Sequence, residues 1–199
     1  MSAFAILDRQ HYGKGGHHED WGAQADLDRD GMVEAWEREA QLTPVYIAHA
    51  LRQLAQHGIG ARQFERGNYG ERHRQAVDLA QVWRGTTAYC ACHLNAGGGD
   101  YALVGYDRRS PAGQALAACI AAQWRKLPVV SRCVVRPYDS TMRGWSCIDG
   151  IYAGPEWLSG VLLEPLFLDC SAHQDFILQG GLEAVGTLLA DAIAEWASS

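Results

Sequence analysis

Short apolar runs of strand length alternate along this chain with longer segments of helical periodicity. The strand candidates that matter most are FAIL at 4–7, TTAYCAC at 86–92 and GVLLE at 160–164. The helical patterns cover 42–57, 71–83, 111–124 and 181–196. Pro44 is expected in the first turn of its helix, where proline is tolerated. The alternation favours an α/β fold in which helices flank a mostly parallel central sheet. Because 199 residues fit one such unit and no linker or repeat divides them, we expect a single layered domain over 1–199.

The charge and the apolar content argue against several classes of protein. The net charge of -6 disfavours nucleic-acid binding, because affinity for phosphate backbones comes mainly from clustered lysine and arginine. No apolar stretch approaches the roughly 18 residues of a membrane helix, and the first residues lack the basic leader of a signal peptide. We therefore expect a monomer that is made in the cytoplasm, does not insert into a membrane and does not bind nucleic acid.

Metal-binding residue types follow three of the predicted strands. The first strand runs into Asp8 and His11, the second into His93, and the third into Glu164. Ligands of open α/β sheets bind outside the carboxyl ends of the strands, so these side chains can converge on one site. A single His or Glu at a strand end is more often a solvated loop residue, but three such endings together favour a shared site. The cluster at 17–20, HHED, is expected to be an exposed polar loop without a metal role.

Residues 26–37, DLDRDGMVEAWE, match the twelve-residue calcium loop at every defined position. The predicted calcium ligands are the carboxylates of Asp26, Asp28, Asp30 and Glu37 and the backbone carbonyl of Met32. Gly31 occupies the position of the sharp turn. The alternative is a solvated acidic turn before a helix. No convincing helix precedes the loop, which favours an isolated calcium loop embedded in another fold over a paired EF-hand.

Four motifs, taken in order, resemble those of the zinc-dependent N-acetylmuramoyl-L-alanine amidases of the type 3 class, found as bacterial autolysins and phage endolysins. They are ILDRQH at 6–11, EAQLT at 39–43, HLNAGGG at 93–99 and GVLLEPLFLD at 160–169. The resemblance spans essentially the whole chain. Arg9 and Gln10 stand where the family usually has Pro-Gly, and the segment 125–155 matches poorly. Substrate contacts are therefore left unassigned.

The resemblance implies a peptidoglycan hydrolase that cleaves the amide between N-acetylmuramic acid and the L-alanine of the stem peptide. It implies zinc held by His11, Glu39 and His93 at the carboxyl ends of the strands, and Glu164 as the catalytic carboxylate. Glu37 is the alternative zinc ligand, but the spacing within the EAQLT motif favours Glu39. Calcium at 26–37 is expected to order the chain that presents Glu39.

Other functions stay open at this stage. A zinc carboxypeptidase or other zinc amidohydrolase uses similar ligands, and a calcium-stabilised wall-binding module without catalysis is a non-enzymatic alternative. Because the motifs fill the chain, no separate cell-wall-binding domain is expected. The predicted role is that of a phage endolysin that waits in the host bacterial cytoplasm and reaches peptidoglycan through a separate membrane pore. Arg132, Arg136 and Arg143 are candidates to meet stem-peptide carboxylates, with solvated surface as the alternative.

Overall fold

The computed structural model describes residues 3–11 and 20–199, and a six-stranded sheet in the order β2-β1-β3-β6-β4-β5 organises them. The strands are β1 Phe4–Arg9, β2 Gly60–Phe64, β3 Thr87–Cys92, β4 Ala102–Asp107, β5 Cys133–Tyr138 and β6 Leu158–Glu164. Neighbouring strands run parallel, except that β4 and β6 are antiparallel. The predicted α/β class with a mostly parallel sheet is confirmed.

Helices cover both faces of this sheet. They are α1 Glu39–Gln56, α2 Tyr69–Trp83, α3 Pro111–Trp124, α4 Ser171–Leu178 and α5 Gly181–Ser198, with short 3₁₀ helices at Ala35–Glu37, Trp145–Cys147 and Asp149–Ala153. Helices α1, α3 and α5 bury one face in the larger apolar cluster, while α2 and the last two 3₁₀ helices cover the other face. No single helix of the described residues is long and apolar enough to cross a membrane, although α4 and α5, bent by 91°, pass that test together by length and composition.

The central strands are buried on both faces, as expected when helices cover both sides of a sheet. Along β3, Cys90 and Cys92 point into the larger apolar cluster, whereas Tyr89 and Ala91 point into the smaller one. The pairing of β1 with β3 is in register, so that Asp8 lies beside Ala91. The carboxyl ends of β1, β3 and β6 consequently meet at one edge of the molecule.

Pro44 lies deeper in its helix than expected, because α1 begins at Glu39 rather than at residue 42. Proline has no N–H, so the carbonyl of Ala40, four residues earlier, loses its helical partner. The Arg9 guanidinium takes that place, with Nε 3.1 Å and Nη2 2.5 Å from the Ala40 oxygen. These Arg9 contacts replace the missing helical hydrogen bond and link the start of α1 to the end of β1.

A buried ion pair supports the same end of β1. Asp8 is fully buried and Arg72, from α2, is 1% exposed, with Nη1 2.7 Å from the Asp8 carboxylate. Arg72 also donates hydrogen bonds to the backbone carbonyls of Arg9 and Gly67. Asp8 accepts two more hydrogen bonds, from the side-chain amide of Gln10 and the hydroxyl of Tyr89. These bonds fix the backbone from which His11 projects.

Candidate metal centre

Three polar side chains converge at the carboxyl ends of β1 and β3. His11 follows β1, His93 follows β3, and Glu39 is the first residue of α1. Nδ1 of His93 lies 2.9 Å from Oε1 of Glu39 and 3.1 Å from Nε2 of His11, and the His11 nitrogen lies 3.4 Å from the same oxygen. Tetrahedral ligands about 2.0–2.1 Å from zinc stand roughly 3.3 Å apart. The three atoms therefore have the spacing of a zinc ligand set.

The backbone around these residues holds them in place. Glu39 receives hydrogen bonds from the N–H groups of Ala23, at 2.7 Å, and Leu94, at 3.0 Å, so both of its carboxylate oxygens are oriented. The Tyr46 hydroxyl donates to the carbonyl of His93 at 3.1 Å. His11 has φ of +61°, a left-handed conformation that is uncommon outside glycine and occurs preferentially at functional sites.

The electrostatics of the cluster favour positive charge at the point of convergence. Burial acts to raise the pKa of Glu39, but the hydrogen bond from His93 and the charges of both histidines hold it below its usual value. Burial acts to lower the pKa of His93, yet the nearby Cys147 and the hydrogen bond to Glu39 raise it to about 10. A site that stabilises a proton this strongly suits a cation, because metal and proton compete for the same lone pairs.

Glu164 ends β6 beside this cluster. Its neighbour in β6, Leu163, accepts a hydrogen bond from the backbone N–H of His93 at 2.9 Å, which joins the ends of the two strands. The side-chain amide of Asn95 donates to the Glu164 carboxylate. Burial, with the nearby charge of Glu39 adding to it, raises the pKa of Glu164 above its usual range. Glu164 is thus an oriented carboxylate whose proton affinity is raised, as a general base requires.

Searches against protein-family models and against curated proteins find no match. Among solved structures the chain is similar to Cwp6 from Clostridium difficile, with a TM-score of 0.72 and 17% identity over 98% of this chain and 29% of Cwp6. It is also similar to the catalytic domain of CwlV, an N-acetylmuramoyl-L-alanine amidase from Bacillus (Paenibacillus) polymyxa, with a TM-score of 0.64 and 16% identity over 98% of this chain and 96% of that one. The catalytic domain of the CD27L endolysin targeting Clostridia difficile gives a TM-score of 0.63 and 14% identity over 98% of both chains.

The fold is that of the N-acetylmuramoyl-L-alanine amidase catalytic domains. Within this amidase fold, the structure brings together His11, Glu39 and His93, and it places Glu164 at the adjacent strand end. Glu37, the alternative zinc ligand, lies instead with the aspartates of the loop at 26–37. The assignment of zinc to these three residues stays a prediction, since similarity at these identities establishes the fold alone.

The acidic loop only partly gathers its predicted ligands. Asp26, Asp28 and Glu37 form one group of carboxylates within 4.8 Å of one another, while Asp30 groups with Asp28 and Glu34. Glu37 is buried and accepts hydrogen bonds from the backbone N–H groups of residues 27, 28 and 34. The side chain of Met32 is exposed, and its N–H donates to Asp30. Gly31 has φ of +95°, as the sharp turn of the motif requires.

Asp20 is not the exposed loop residue that was expected. It is half-buried, and its Oδ1 lies 2.9 Å from Nδ1 of His11, a candidate metal ligand. A carboxylate on the outer ring nitrogen fixes the tautomer that leaves Nε2 free to bind a metal. The other members of that cluster, residues 17–19, lie outside the described residues. No spacing rule links Asp20 to His11, so only the folded chain reveals the pair.

Cys147 is a second residue that sequence reasoning missed. It belongs to the segment at 125–155 that matches the amidase motifs poorly. Its carbonyl accepts a hydrogen bond from Nε2 of His73 at 3.0 Å, which anchors the 3₁₀ helix Trp145–Cys147 to α2. Cys147 lies close enough to His93 and Tyr69 to contribute to the raised pKa of both groups. Part of the divergent segment therefore lies near the candidate site.

Proposed function

We propose that this protein is a zinc-dependent amidase that hydrolyses the bond between N-acetylmuramic acid and the L-alanine of the peptidoglycan stem peptide. The observation that carries the proposal is the convergence of His11, Glu39 and His93 beside Glu164. The similar solved structure of CwlV is described as the catalytic domain of an N-acetylmuramoyl-L-alanine amidase. The combination of site and fold favours this amide over other substrates.

The residues present fit zinc. Two histidines and one carboxylate are a common catalytic zinc set and leave a coordination position for water or substrate. Zinc bound there supplies a Lewis acid for the amide carbonyl and lowers the pKa of water. Asp20 orients His11, and the N–H groups of Ala23 and Leu94 orient Glu39. The chain's own contribution is thus to hold three ligand atoms in a fixed arrangement before the metal binds.

Glu164 is the proposed general base. Its raised pKa makes it a stronger proton acceptor than a solvated glutamate, and the Asn95 amide directs one carboxylate oxygen. In the proposed reaction Glu164 takes a proton from the attacking water and gives it to the departing amine of L-alanine. The amide C–N bond breaks, and the products are a free lactyl carboxylate and an intact stem peptide.

The test compares Glu164→Gln with the wild type on purified muropeptides, with Glu183→Gln, an exposed glutamate of α5, as the matched control. We expect Glu164→Gln to lose about 10²–10⁴-fold in rate while it retains zinc, and the control to match the wild type. A Glu164→Gln variant with wild-type rate would refute the base assignment. Release of a terminal amino acid would indicate a carboxypeptidase. Wall binding without cleavage by the zinc-loaded protein would indicate a non-catalytic module.

We further propose that the loop at 26–37 binds calcium and thereby stabilises the position of Glu39, the proposed zinc ligand that follows it. Two backbone contacts join the chain just before the loop to the chain just after it. They are an isolated β-bridge between Gln24 and Arg38, and the hydrogen bond from the Glu39 N–H to the carbonyl of Ala23 at 2.8 Å. Neutralising the carboxylates of the loop would remove their mutual repulsion and stabilise this arrangement.

Calcium binding is tested by titrating calcium into the zinc-loaded protein and following thermal unfolding, with Asp28→Asn as the variant. Free calcium at about 100 times its Kd should stabilise the wild type by about 2.7 kcal/mol and the variant by much less. Equal responses, or no response in the wild type, would show that the loop is a solvated acidic turn.

The biological role that we propose is host-cell lysis as a phage endolysin acting from the bacterial cytoplasm, supported by similarity to the CD27L endolysin catalytic domain. Expression in the cytoplasm should lyse cells only when a pore-forming membrane protein is co-expressed. Lysis without that protein would contradict this route to the wall. Light scattering would test the predicted monomer.

A further inference from the structure

The sheet brings one arginine to the face that carries Glu164. In the antiparallel pairing of β4 with β6, Leu103 lies beside Glu164, and in the parallel pairing of β4 with β5, Leu103 lies beside Val134. Paired residues share a face of a sheet, and so do residues two apart along a strand. Arg136, two residues after Val134, therefore lies on the same face as Glu164.

The residue of β4 that lies between Arg136 and β6 is a glycine and carries no side chain of its own. Arg136 pairs with Gly105, which pairs in turn with Leu162 of β6, so two strand spacings, about 10 Å, separate β5 from β6. A Cβ at Gly105 would stand 2.7 Å from the ring of Tyr138, so this ring lies over the glycine. An arginine side chain can extend over that ring toward the end of β6.

Arg136 is exposed, and in the described part of the chain no carboxylate forms an ion pair with it. Its neighbours Arg108 and Arg109, in contrast, are paired with Asp139 and Asp107. Arg136 lies close enough to the buried Tyr138 for its positive charge to act against the burial that raises the pKa of the phenol. Arg136 and Glu164 are close enough for the positive charge to lower the pKa of the carboxyl, against the larger effect of burial. Among the described residues, a cation without a carboxylate partner thus lies on the same face as the proposed base, two strands away.

We propose that Arg136 binds a free carboxylate of the stem peptide and so selects acidic peptides over amidated ones. This inference rests on the proposed function. The residue after L-alanine in stem peptides bears an α-carboxyl that is free in some peptidoglycans and a carboxamide in others. A guanidinium forms two parallel hydrogen bonds with a carboxylate, but a carboxamide offers one acceptor and no charge. Arg136 is therefore a specificity residue for the leaving peptide.

The experiment measures kcat and KM on two muropeptides that differ only in that group, one with the α-carboxylate and one with the α-carboxamide. The enzymes are the zinc-loaded wild type, Arg136→Gln and Arg125→Gln. Arg125 is an exposed arginine at the end of α3 and serves as the control for loss of one positive charge. Thermal unfolding checks that each variant is folded.

We expect the wild type to prefer the carboxylate substrate, and Arg136→Gln to raise KM for that substrate about 10-fold to 100-fold, the range of a charged hydrogen bond. With the carboxamide substrate, Arg136→Gln should match the wild type. An equal loss on both substrates would overturn the inference, because the arginine would then act on Glu164 or on the fold. A wild type that does not distinguish the substrates would overturn it too. Cleavage of neither substrate by the wild type would refute the proposed function instead.

Discussion

Replacing Arg72 with methionine tests how the end of β1 is held. The change removes the partner of a fully buried carboxylate, Asp8, and fills most of the arginine's volume with an apolar chain. Gln10 and Tyr89 still donate to Asp8, but among residues 3–11 and 20–199 no other lysine or arginine forms an ion pair with it. The carboxylate must then stay ionised without a counter-charge or take up a proton.

The expected cost at neutral pH is about 3–5 kcal/mol, the usual effect of removing one partner from a buried ion pair. For a chain of this size, that corresponds to a fall of roughly 6–20 °C in Tm. Arg74→Met, on the exposed face of the same helix, is the matched control and should lie within about 0.5 kcal/mol of the wild type.

The pH dependence gives the sharper measurement. Burial already raises the pKa of Asp8 in the folded protein, and Arg72 lowers it, so the methionine variant raises it further. A group with a raised folded pKa gives stability that is present at low pH and lost as pH rises through the folded pKa. The loss of unfolding free energy in Arg72→Met, relative to the wild type, should therefore become smaller on acidification. The change is up to about 1.4 kcal/mol per pH unit as the pH falls through the raised pKa of Asp8 in the variant.

Urea unfolding of wild type and variant at several pH values between about 5 and 8 measures this deficit. A deficit that is constant over this range, or that grows on acidification, would show that the variant's cost does not come from an unpaired Asp8. A deficit below about 1 kcal/mol at pH 8 would refute the buried-pair argument altogether.

Two further substitutions address the metal centre. Asp20→Asn should weaken zinc binding about 10-fold to 100-fold, because His11 loses the carboxylate on its outer nitrogen. Competition with a chelator measures the affinity, and an unchanged value would show that Asp20 does not orient His11. Gly22→Ala should weaken zinc binding and lower Tm, because a Cβ at this φ of +70° would stand 2.3 Å from the Glu39 carboxylate and 2.8 Å from the His11 ring. Gly58→Ala, which has φ of +71° and an open surrounding, controls for backbone strain alone, and an equal loss in both variants would contradict the predicted clash.

The strands and helices with strong periodicity were predictable. β1, β3 and β6 are apolar runs, and α3 begins and ends where its pattern predicts. Three strands were not among the strand candidates. β4, ALVGYD, is a buried interior strand, whereas β2 and β5 are edge strands whose sequences, GARQF and CVVRPY, mix polar and apolar residues. Strand pairing at an edge depends on the neighbour more than on the pattern.

The sequence by itself determined which residue types stand at the ends of the strands: His11, His93 and Glu164 follow directly from local patterns. It also determined the alternation of strands and helices. Residue types at strand ends and this alternation both depend on residues that are neighbours in the sequence. Only the tertiary structure decided which residues meet. It placed Glu39 rather than Glu37 with the histidines, put Asp20 on the outer nitrogen of His11, and set Arg136 on the face of Glu164 two strands away. Such contacts depend on strand order and on the antiparallel entry of β4, which bring together residues far apart in the chain and leave no local pattern to read.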